Sequence, residues 1–144
     1  MLLGEYEHTI DDKNRLTLPA KFRREFQDGC VVTRGLDGCL WAFTPEAWDN
    51  YRESILADLH PLSKDGRSMQ RHLFSGASEQ TPDKQGRVSI PPALTTHAKL
   101  GRDVVVAGVN DHLEIWDRAT WKRELAEVEG SAEDVAERLA AQGS

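Results

Sequence analysis

The sequence predicts a mixed α+β fold in which one supersecondary unit occurs twice. Residues 11–19, Asp-Asp-Lys-Asn-Arg-Leu-Thr-Leu-Pro, return at residues 83–91 as Asp-Lys-Gln-Gly-Arg-Val-Ser-Ile-Pro, a shift of 72 positions. The repeat extends beyond this motif, because Trp48 matches Trp121 after one inserted residue. In each half the apolar patterns predict the order strand–turn–strand–helix–strand–turn–strand–helix. That order is typical of α+β proteins rather than of alternating βαβ proteins.

Each copy opens with two short strands joined by a turn. In the first copy residues 4–10 predict a strand, residues 12–14 a turn, and the segment from Arg15 a second strand with alternating side chains. Asn14 aligns with Gly86, and these residue types tolerate positive φ best, so both copies are expected to share one turn shape. The alternation places each motif arginine on the same outward face as the hydroxyl residue two positions later.

Helices and a further hairpin complete each copy. Pro19 and Pro91 suit the first turn of a helix, where a missing N–H leaves nothing unpaired. Thr44 and Asp117 predict the N-caps of two further helices. The second hairpins are predicted at residues 30–34 with 39–43, and at residues 104–107 with 112–116.

The predicted domain organisation has four parts: a first repeat at 4–59, a basic linker at 60–75, a second repeat at 76–129 and an acidic tail at 130–144. Gly130 and Ser131 predict an interruption of the last helical stretch. The tail after them is expected to form a short helix or to be disordered, because it has little apolar surface to bury. Each half alone would be marginal, so the halves are expected to share a core or to oligomerise.

Composition limits the function classes. The chain has 144 residues and a net charge of −6, which argues against a generic nucleic-acid binder. The charge is polarised, however: residues 11–24 carry five basic and two acidic side chains, whereas residues 117–144 carry four basic and seven acidic ones. With no apolar run near about 20 residues and no secretory signal, we expect a cytosolic protein. Cys30 and Cys39 are accordingly expected to be free thiols.

The repeated Asp-x-x-x-Arg motif has two interpretations. In the structural one, Asp11–Arg15 and Asp83–Arg87 are ion pairs that hold a tight turn, each worth on the order of a few tenths of a kcal/mol when exposed. In the functional one, the carboxylate orients a guanidinium group whose fork then meets a phosphate or a guanine edge. The two are compatible, and the residues alone leave both open.

Other basic residues lie near the predicted turns. Lys13 and Lys84 are either solvated turn residues or phosphate contacts. Arg23 and Arg24 have Thr95 and Thr96 as counterparts in the second copy. The first half is therefore expected to dominate electrostatic binding.

An enzyme is not expected. Two motif aspartates in related lobes resemble a carboxylate dyad, but a neighbouring arginine lowers the pKa of a carboxyl group and makes it a poor acid. The sequence contains no nucleophile elbow. The histidines are scattered and do not pair with the cysteines at zinc-ligand spacing, so neither a metal nor a cofactor is expected.

These motifs resemble the MraZ family. The resemblance covers about residues 1–128 and rests on residues 4–20, both Asp-x-x-x-Arg signatures and the central Gly-Arg-Ser segment. It implies two SpoVT/AbrB-like domains of β-barrel type in a pseudo-two-fold protomer, and a ring-shaped homo-oligomer. It also implies a bacterial regulator, usually a repressor of its own operon in the division and cell-wall gene cluster, that binds short direct repeats. The family's DNA contacts map onto Asp11, Arg15, Asp83 and Arg87.

We therefore predict a cytoplasmic, nucleoid-associated oligomer that binds double-stranded promoter DNA. Arg15, together with Arg87, is expected to read guanine edges. The side chains expected to position the DNA backbone are Lys13, Lys84, Thr17 and Ser89. The alternative is a ring-forming scaffold or antitoxin-like module that binds a protein partner.

Overall fold

The computed structural model describes residues 1–143, which form a six-stranded sheet, a two-stranded ribbon and four α-helices. The strands are β1 (Leu2–Thr9), β2 (Arg15–Thr17), β3 (Cys30–Arg34), β4 (Leu40–Phe43), β5 (Ser78–Gln80), β6 (Arg87–Ser89), β7 (Asp103–Asn110) and β8 (Leu113–Asp117). The helices are α1 (Pro45–Asp58), α2 (Lys64–Phe74), α3 (Pro92–His97) and α4 (Arg118–Gln142), with a 3₁₀ turn at Ala20–Phe22.

The larger sheet exchanges strands between the two halves of the chain. Its order is β1-β7-β8-β4-β3-β5, so β1 pairs with β7 of the second half and β5 pairs with β3 of the first. The simple hairpin predicted between residues 4–10 and the following strand is therefore wrong, and a single bridge between Ile10 and Leu16 joins the two segments. The long-range pairing is favoured because all eight residues of β1 find partners on β7, whereas β2 has three residues.

This sheet is open, which corrects the barrel form that the family resemblance implies. The strands β1 and β5 lie at its two ends and do not pair with each other. Closure needs strands long enough to tilt and stagger around an axis, and β5 has only three residues. The predicted mixed α+β class is confirmed.

Two antiparallel pairings are symmetric about a central residue pair. In the ribbon of β2 and β6, Arg15 faces Ser89 and Thr17 faces Arg87, on either side of the pair Leu16–Val88. The strands β4 and β8 pair in the same reciprocal way around Trp41 and Glu114. The two repeats are thus related by a pseudo-two-fold rotation.

Both repeats contribute to a single apolar core. The apolar side chains at four-residue spacing after each motif are buried in both copies, as is the alternating apolar face of the ribbon, but the first copy forms a 3₁₀ turn at Ala20–Phe22 and not the predicted helix. Burial is nearly complete for Leu16, Leu18, Phe22, Phe26, Val88, Ile90, Leu94 and Ala98. Neither repeat could keep these side chains from water alone, which explains why a chain of this length folds as one body.

The helix caps follow local chemistry. The hydroxyl of Thr44 accepts a hydrogen bond from the amide of Ala47 at 3.2 Å, and Pro45 opens α1 as predicted. Asp117 caps α4 through the amide of Thr120 at 3.5 Å. At the start of α3, Pro91 is the cap and Pro92 takes the first helical position, one residue later than predicted.

Two segments are more helical than the sequence suggests. Most of the stretch predicted as a basic linker is α2, which Ser63 caps by accepting a hydrogen bond from the amide of Gly66 at 2.9 Å. The last helix, α4, runs without a break through Gly130 and Ser131 to Gln142. One interior glycine costs a helix about 1 kcal/mol, which the surrounding Ala, Glu and Leu residues offset. Ser144 lies outside the described residues, and the domain boundaries stay a prediction.

Candidate nucleic-acid interface

The first motif forms a tight turn held by one carboxylate, here called the first tip (residues 11–15). One carboxylate oxygen of Asp11 accepts hydrogen bonds from the amides of Lys13 and Arg15, both at 2.9 Å. The other accepts from Nε of Arg15 at 2.8 Å. The amide of Asn14 donates to the carbonyl oxygen of Asp11 at 3.0 Å, and its φ is +56°. The side chain of Asp11 thus fixes both the turn and the guanidinium group.

The second tip (residues 83–87) repeats this geometry. Asp83 accepts from the amides of Gln85 and Arg87 at 2.9 Å each, and from Nε of Arg87 at 2.7 Å. Gly86 occupies the position of Asn14 with φ +76°. The prediction of one shared turn shape with a positive φ at this position is confirmed.

Both arginines keep their outer nitrogens available. Each guanidinium uses Nε for the aspartate, and no hydrogen bond within residues 1–143 engages the terminal nitrogens of Arg15 or Arg87. Their side chains are 29% and 28% exposed. Exposed ion pairs add little stability, so the main consequence of the pair is orientation. The two interpretations of the motif hold at once, since the aspartate shapes the turn and presents the fork.

Both aspartates are held in the ionised form. The backbone N–H of Arg15 contributes most to lowering the pKa of Asp11, and the guanidinium group of the same residue adds to this effect. The pKa of Asp83 is lowered in the same way by the backbone and then the side chain of Arg87. A carboxyl group with a lowered pKa is a poor proton donor.

The ribbon brings the two tips together and makes each depend on the other. The amide of Leu18, just after β2, donates to the carbonyl oxygen of Gly86 at 2.9 Å. Reciprocally, the amide of Ile90 donates to the carbonyl oxygen of Asn14 at 2.8 Å. Each turn is therefore braced by the strand of the other repeat, and the two arginines share one face of the ribbon.

Comparison with known proteins agrees with this architecture. The family described as "MraZ protein, putative antitoxin-like" matches residues 1–71 and again residues 73–142. The chain belongs to the MraZ family. It is 47% identical over 139 residues to the transcriptional regulator MraZ of Ligilactobacillus salivarius strain UCC118, covering 96% of each chain. It is 44% identical over 140 residues, 97% of each chain, to proteins of the same name from Roseiflexus sp. strain RS-1 and Roseiflexus castenholzii. MraZ is thus a family of transcriptional regulators, not of enzymes.

The remaining predicted site residues of this MraZ chain surround the two arginines. Lys13 and Lys84 are exposed on the turns. Thr17 is half-buried and Ser89 is exposed, each facing an arginine across the ribbon. The side-chain amide of Gln80 holds Ser89, donating to its carbonyl oxygen at 2.8 Å and accepting from its amide at 2.6 Å. All eight predicted site residues therefore lie on the two tips or the ribbon between them.

One basic residue of this interface was not predicted as part of it. Nε of Arg23, on the first repeat, donates to the carbonyl oxygen of Leu18 at 3.0 Å. Its stem lies over Gly86 of the second tip: a Cβ added there would stand 2.8 Å from both Cδ and Nε of Arg23. Arg23 therefore lies against the second tip although it belongs to the first repeat, and dominance of the first half in electrostatic binding stays a prediction. The sequence contained a signal for this contact, since the residue that aligns with Asn14 is Gly86, and it is Gly86 that Arg23 covers.

Within residues 1–143 no group of His, Cys, Asp and Glu side chains is arranged to hold a metal ion. Both cysteines are buried and unpaired, and burial raises the pKa of Cys30 to about 12 and also raises that of Cys39. None of the helices in this part of the chain is long and apolar enough to cross a membrane.

Proposed function

We propose that this chain is a sequence-specific DNA-binding transcriptional regulator whose two tips grip a duplex through Arg15 and Arg87. The observation that carries the proposal is the pair of equivalent guanidinium groups on one face of the ribbon. Each is oriented through Nε by its own aspartate, and its terminal nitrogens form no hydrogen bond within residues 1–143. Paired tips of the same backbone geometry suit a long repetitive partner better than a single small molecule.

The chemistry of a guanine edge matches this arrangement. Guanine presents O6 and N7 in the major groove, and the fork of an arginine can donate to both acceptors at once. Lys13 and Lys84 are placed to contact flanking phosphates, with the hydroxyl groups of Thr17 and Ser89 as weaker contacts. The net charge of −6 does not oppose this, because local fields rather than net charge steer a charged partner.

The family resemblance supports the finer features. We propose a ring-shaped homo-oligomer that binds short direct repeats in double-stranded promoter DNA, in the cytoplasm and associated with the nucleoid. Neighbouring protomers related by rotation present the same tip in the same sense, which suits direct rather than inverted repeats. Repression of its own operon in the division and cell-wall gene cluster is proposed on the same ground.

A gel shift with the Arg15→Ala variant on the DNA upstream of this reading frame tests the proposal. Loss of one bidentate base contact is expected to weaken binding about tenfold or more. Arg52→Ala is the matched control, because Arg52 also pairs with an aspartate, Asp49 at 3.3 Å, but lies on α1. Undiminished affinity of Arg15→Ala, with its oligomer intact, would remove the role given to Arg15.

Salt dependence separates DNA binding from the alternative of a ring-forming scaffold or antitoxin-like module that binds a protein partner; the description of the matched family includes the words "antitoxin-like". DNA binding should weaken steeply between about 50 and 200 mM salt, because counterions are released from the phosphates. An apolar protein interface should barely respond. Affinity that stays flat across this range would favour the protein-binding alternative.

A further inference from the structure

The two tips differ most in what covers the residue of positive φ. In the first tip this residue is Asn14, which is exposed. In the second it is Gly86, which is buried although it lies in a turn. Arg23 is the side chain that covers it, and the absence of a Cβ on Gly86 allows this approach.

This difference depends on two correlated residues. The counterpart of Arg23 is Thr95, which is too short to cover a turn in the same way and donates instead to the carbonyl oxygen of Pro91 at 3.4 Å. Asparagine therefore occurs with threonine at one tip, and glycine with arginine at the other. The positive φ of the turn alone permits either asparagine or glycine, but the close approach of Arg23 needs a residue without a Cβ, which only the second tip has.

The hydrogen bond of Arg23 leaves its charge facing outward. Nε is used for the carbonyl oxygen of Leu18 at 3.0 Å, and no hydrogen bond within residues 1–143 engages its terminal nitrogens. The amide of the same Leu18 donates to the carbonyl oxygen of Gly86 at 2.9 Å. Arg23 is thereby attached to the backbone that also braces the second tip, in the same manner as Arg15 and Arg87 are held through Nε.

The two tips also differ in the number of charged side chains in and beside them. The first tip contains two acidic and two basic side chains, because Asp12 accompanies Asp11, and Arg102 of the second repeat adds a third basic group beside it. The second tip contains one acidic and two basic side chains, because Lys84 stands where the first has Asp12, and Arg23 adds a third basic group beside it.

We propose that Arg23, although it belongs to the first repeat, is a phosphate-binding residue of the second tip and makes that tip the stronger electrostatic anchor on DNA. This inference rests on the proposed DNA-binding function. The first tip, which carries one acidic side chain more than the second, then contributes mainly base recognition through Arg15. A guanidinium held through Nε with two free terminal nitrogens has the fork geometry that suits a phosphate.

The test compares two neighbouring arginines with equivalent replacements. Arg23→Thr and Arg24→Thr each install the residue of the second repeat and remove one charge. Binding is measured by fluorescence anisotropy on a duplex of the DNA upstream of this reading frame. For Arg23→Thr the slope of log affinity against log salt should become shallower by about 0.9, with affinity about tenfold weaker near 100 mM salt. Arg24→Thr should stay within about twofold of the native protein.

A purely structural role for Arg23 gives a different pattern. Arg23→Lys keeps the charge but loses the Nε that donates to the carbonyl oxygen of Leu18, so phosphate binding predicts a native salt slope. Loss of the slope in Arg23→Lys, with a native melting temperature, would overturn the proposal. Equal behaviour of Arg23→Thr and Arg24→Thr would overturn it as well.

A gain-of-function variant covers the case in which Arg23→Thr does not fold. The double variant Asn14→Gly/Thr95→Arg rebuilds the second tip's arrangement at the first tip and should steepen the salt slope by about 0.9. An unchanged slope would contradict the inference.

Arg15→Ala, measured in parallel, distinguishes failure of the role proposed for Arg23 from failure of the proposed DNA binding. If it weakens binding while Arg23→Thr does not, only the assignment of Arg23 fails. If the native chain binds no upstream DNA, both proposals fail.

Discussion

The first and second tips have the same skeleton and different surroundings. In each, an aspartate accepts hydrogen bonds from two backbone amides at 2.9 Å and from one arginine Nε at 2.8 or 2.7 Å. At the second tip the stem of Arg23, from the first repeat, lies over Gly86, whereas Asn14 of the first tip is exposed and shares a cavity lining with Arg102 of the second repeat. The comparison teaches that the motif determines the backbone of a tip, whereas its electrostatic character depends on the neighbours that the fold supplies.

The largest expected effect comes from truncating a buried apolar side chain of the ribbon that supports both tips. Leu16 and Val88 face each other across the ribbon and are 0% and 1% exposed. Leu16→Ala should lower the free energy of unfolding by about 3 kcal/mol in urea denaturation, through lost transfer energy and an unfilled cavity.

Leu56→Ala serves as the control for this change, because Leu56 is 42% exposed on α1 and should shift stability by about 0.5 kcal/mol or less. A loss below about 1 kcal/mol for Leu16→Ala would show that the ribbon is not a common support.

A smaller loss of stability is expected from adding a Cβ at the positive-φ residue of each tip, and the loss should differ between the tips. Gly86→Ala should lower the free energy of unfolding by about 2 kcal/mol, because the alanine is strained at φ +76° and its Cβ would stand 2.8 Å from Arg23. Asn14→Ala at φ +56° should lose about 1 kcal/mol, from backbone strain alone. Urea denaturation measures both.

Gly38→Ala isolates the strain term, since Gly38 has φ +86° and an added Cβ would meet nothing within 4 Å. If Gly86→Ala destabilised the protein no more than Gly38→Ala, Arg23 would not rest on the second tip in solution.

The smallest expected effect concerns pH and should be equal at both tips. Asp11 and Asp83 have lowered pKa values in the folded protein, so the folded state binds fewer protons than the unfolded state. Their stabilising contribution is complete above the unfolded value of about 3.9 and is lost as pH falls through the lowered pKa.

Melting temperatures of Asp11→Asn and Asp83→Asn, measured from neutral pH downward, check this expectation. Each variant should melt below the native protein at neutral pH, and the gap should close below about pH 4. Asp12→Asn is the control, because the side chain of Asp12 accepts no hydrogen bond within residues 1–143. A gap that persisted unchanged at low pH would contradict the role given to the two carboxylates.

Residue chemistry close in sequence was enough to predict much of the molecule. The positive φ shared by Asn14 and Gly86, the Thr44 and Asp117 caps, the alternating apolar face and the association of each aspartate with its arginine all depend on contacts within a few residues. Such contacts exist in any fold that keeps the segment intact, so the sequence determines them directly.

Strand partners and cross-repeat contacts were settled only by the three-dimensional packing. Residues 4–10 pair with β7 rather than with the strand after the turn, because the longer partner satisfies more backbone groups. Arg23 reaches the second tip rather than its own, because the ribbon joins the repeats in reciprocal order. Periodicity shows which face of a strand is apolar, but a strand partner in the other half of the chain is chosen by the total burial and hydrogen bonding of the whole chain.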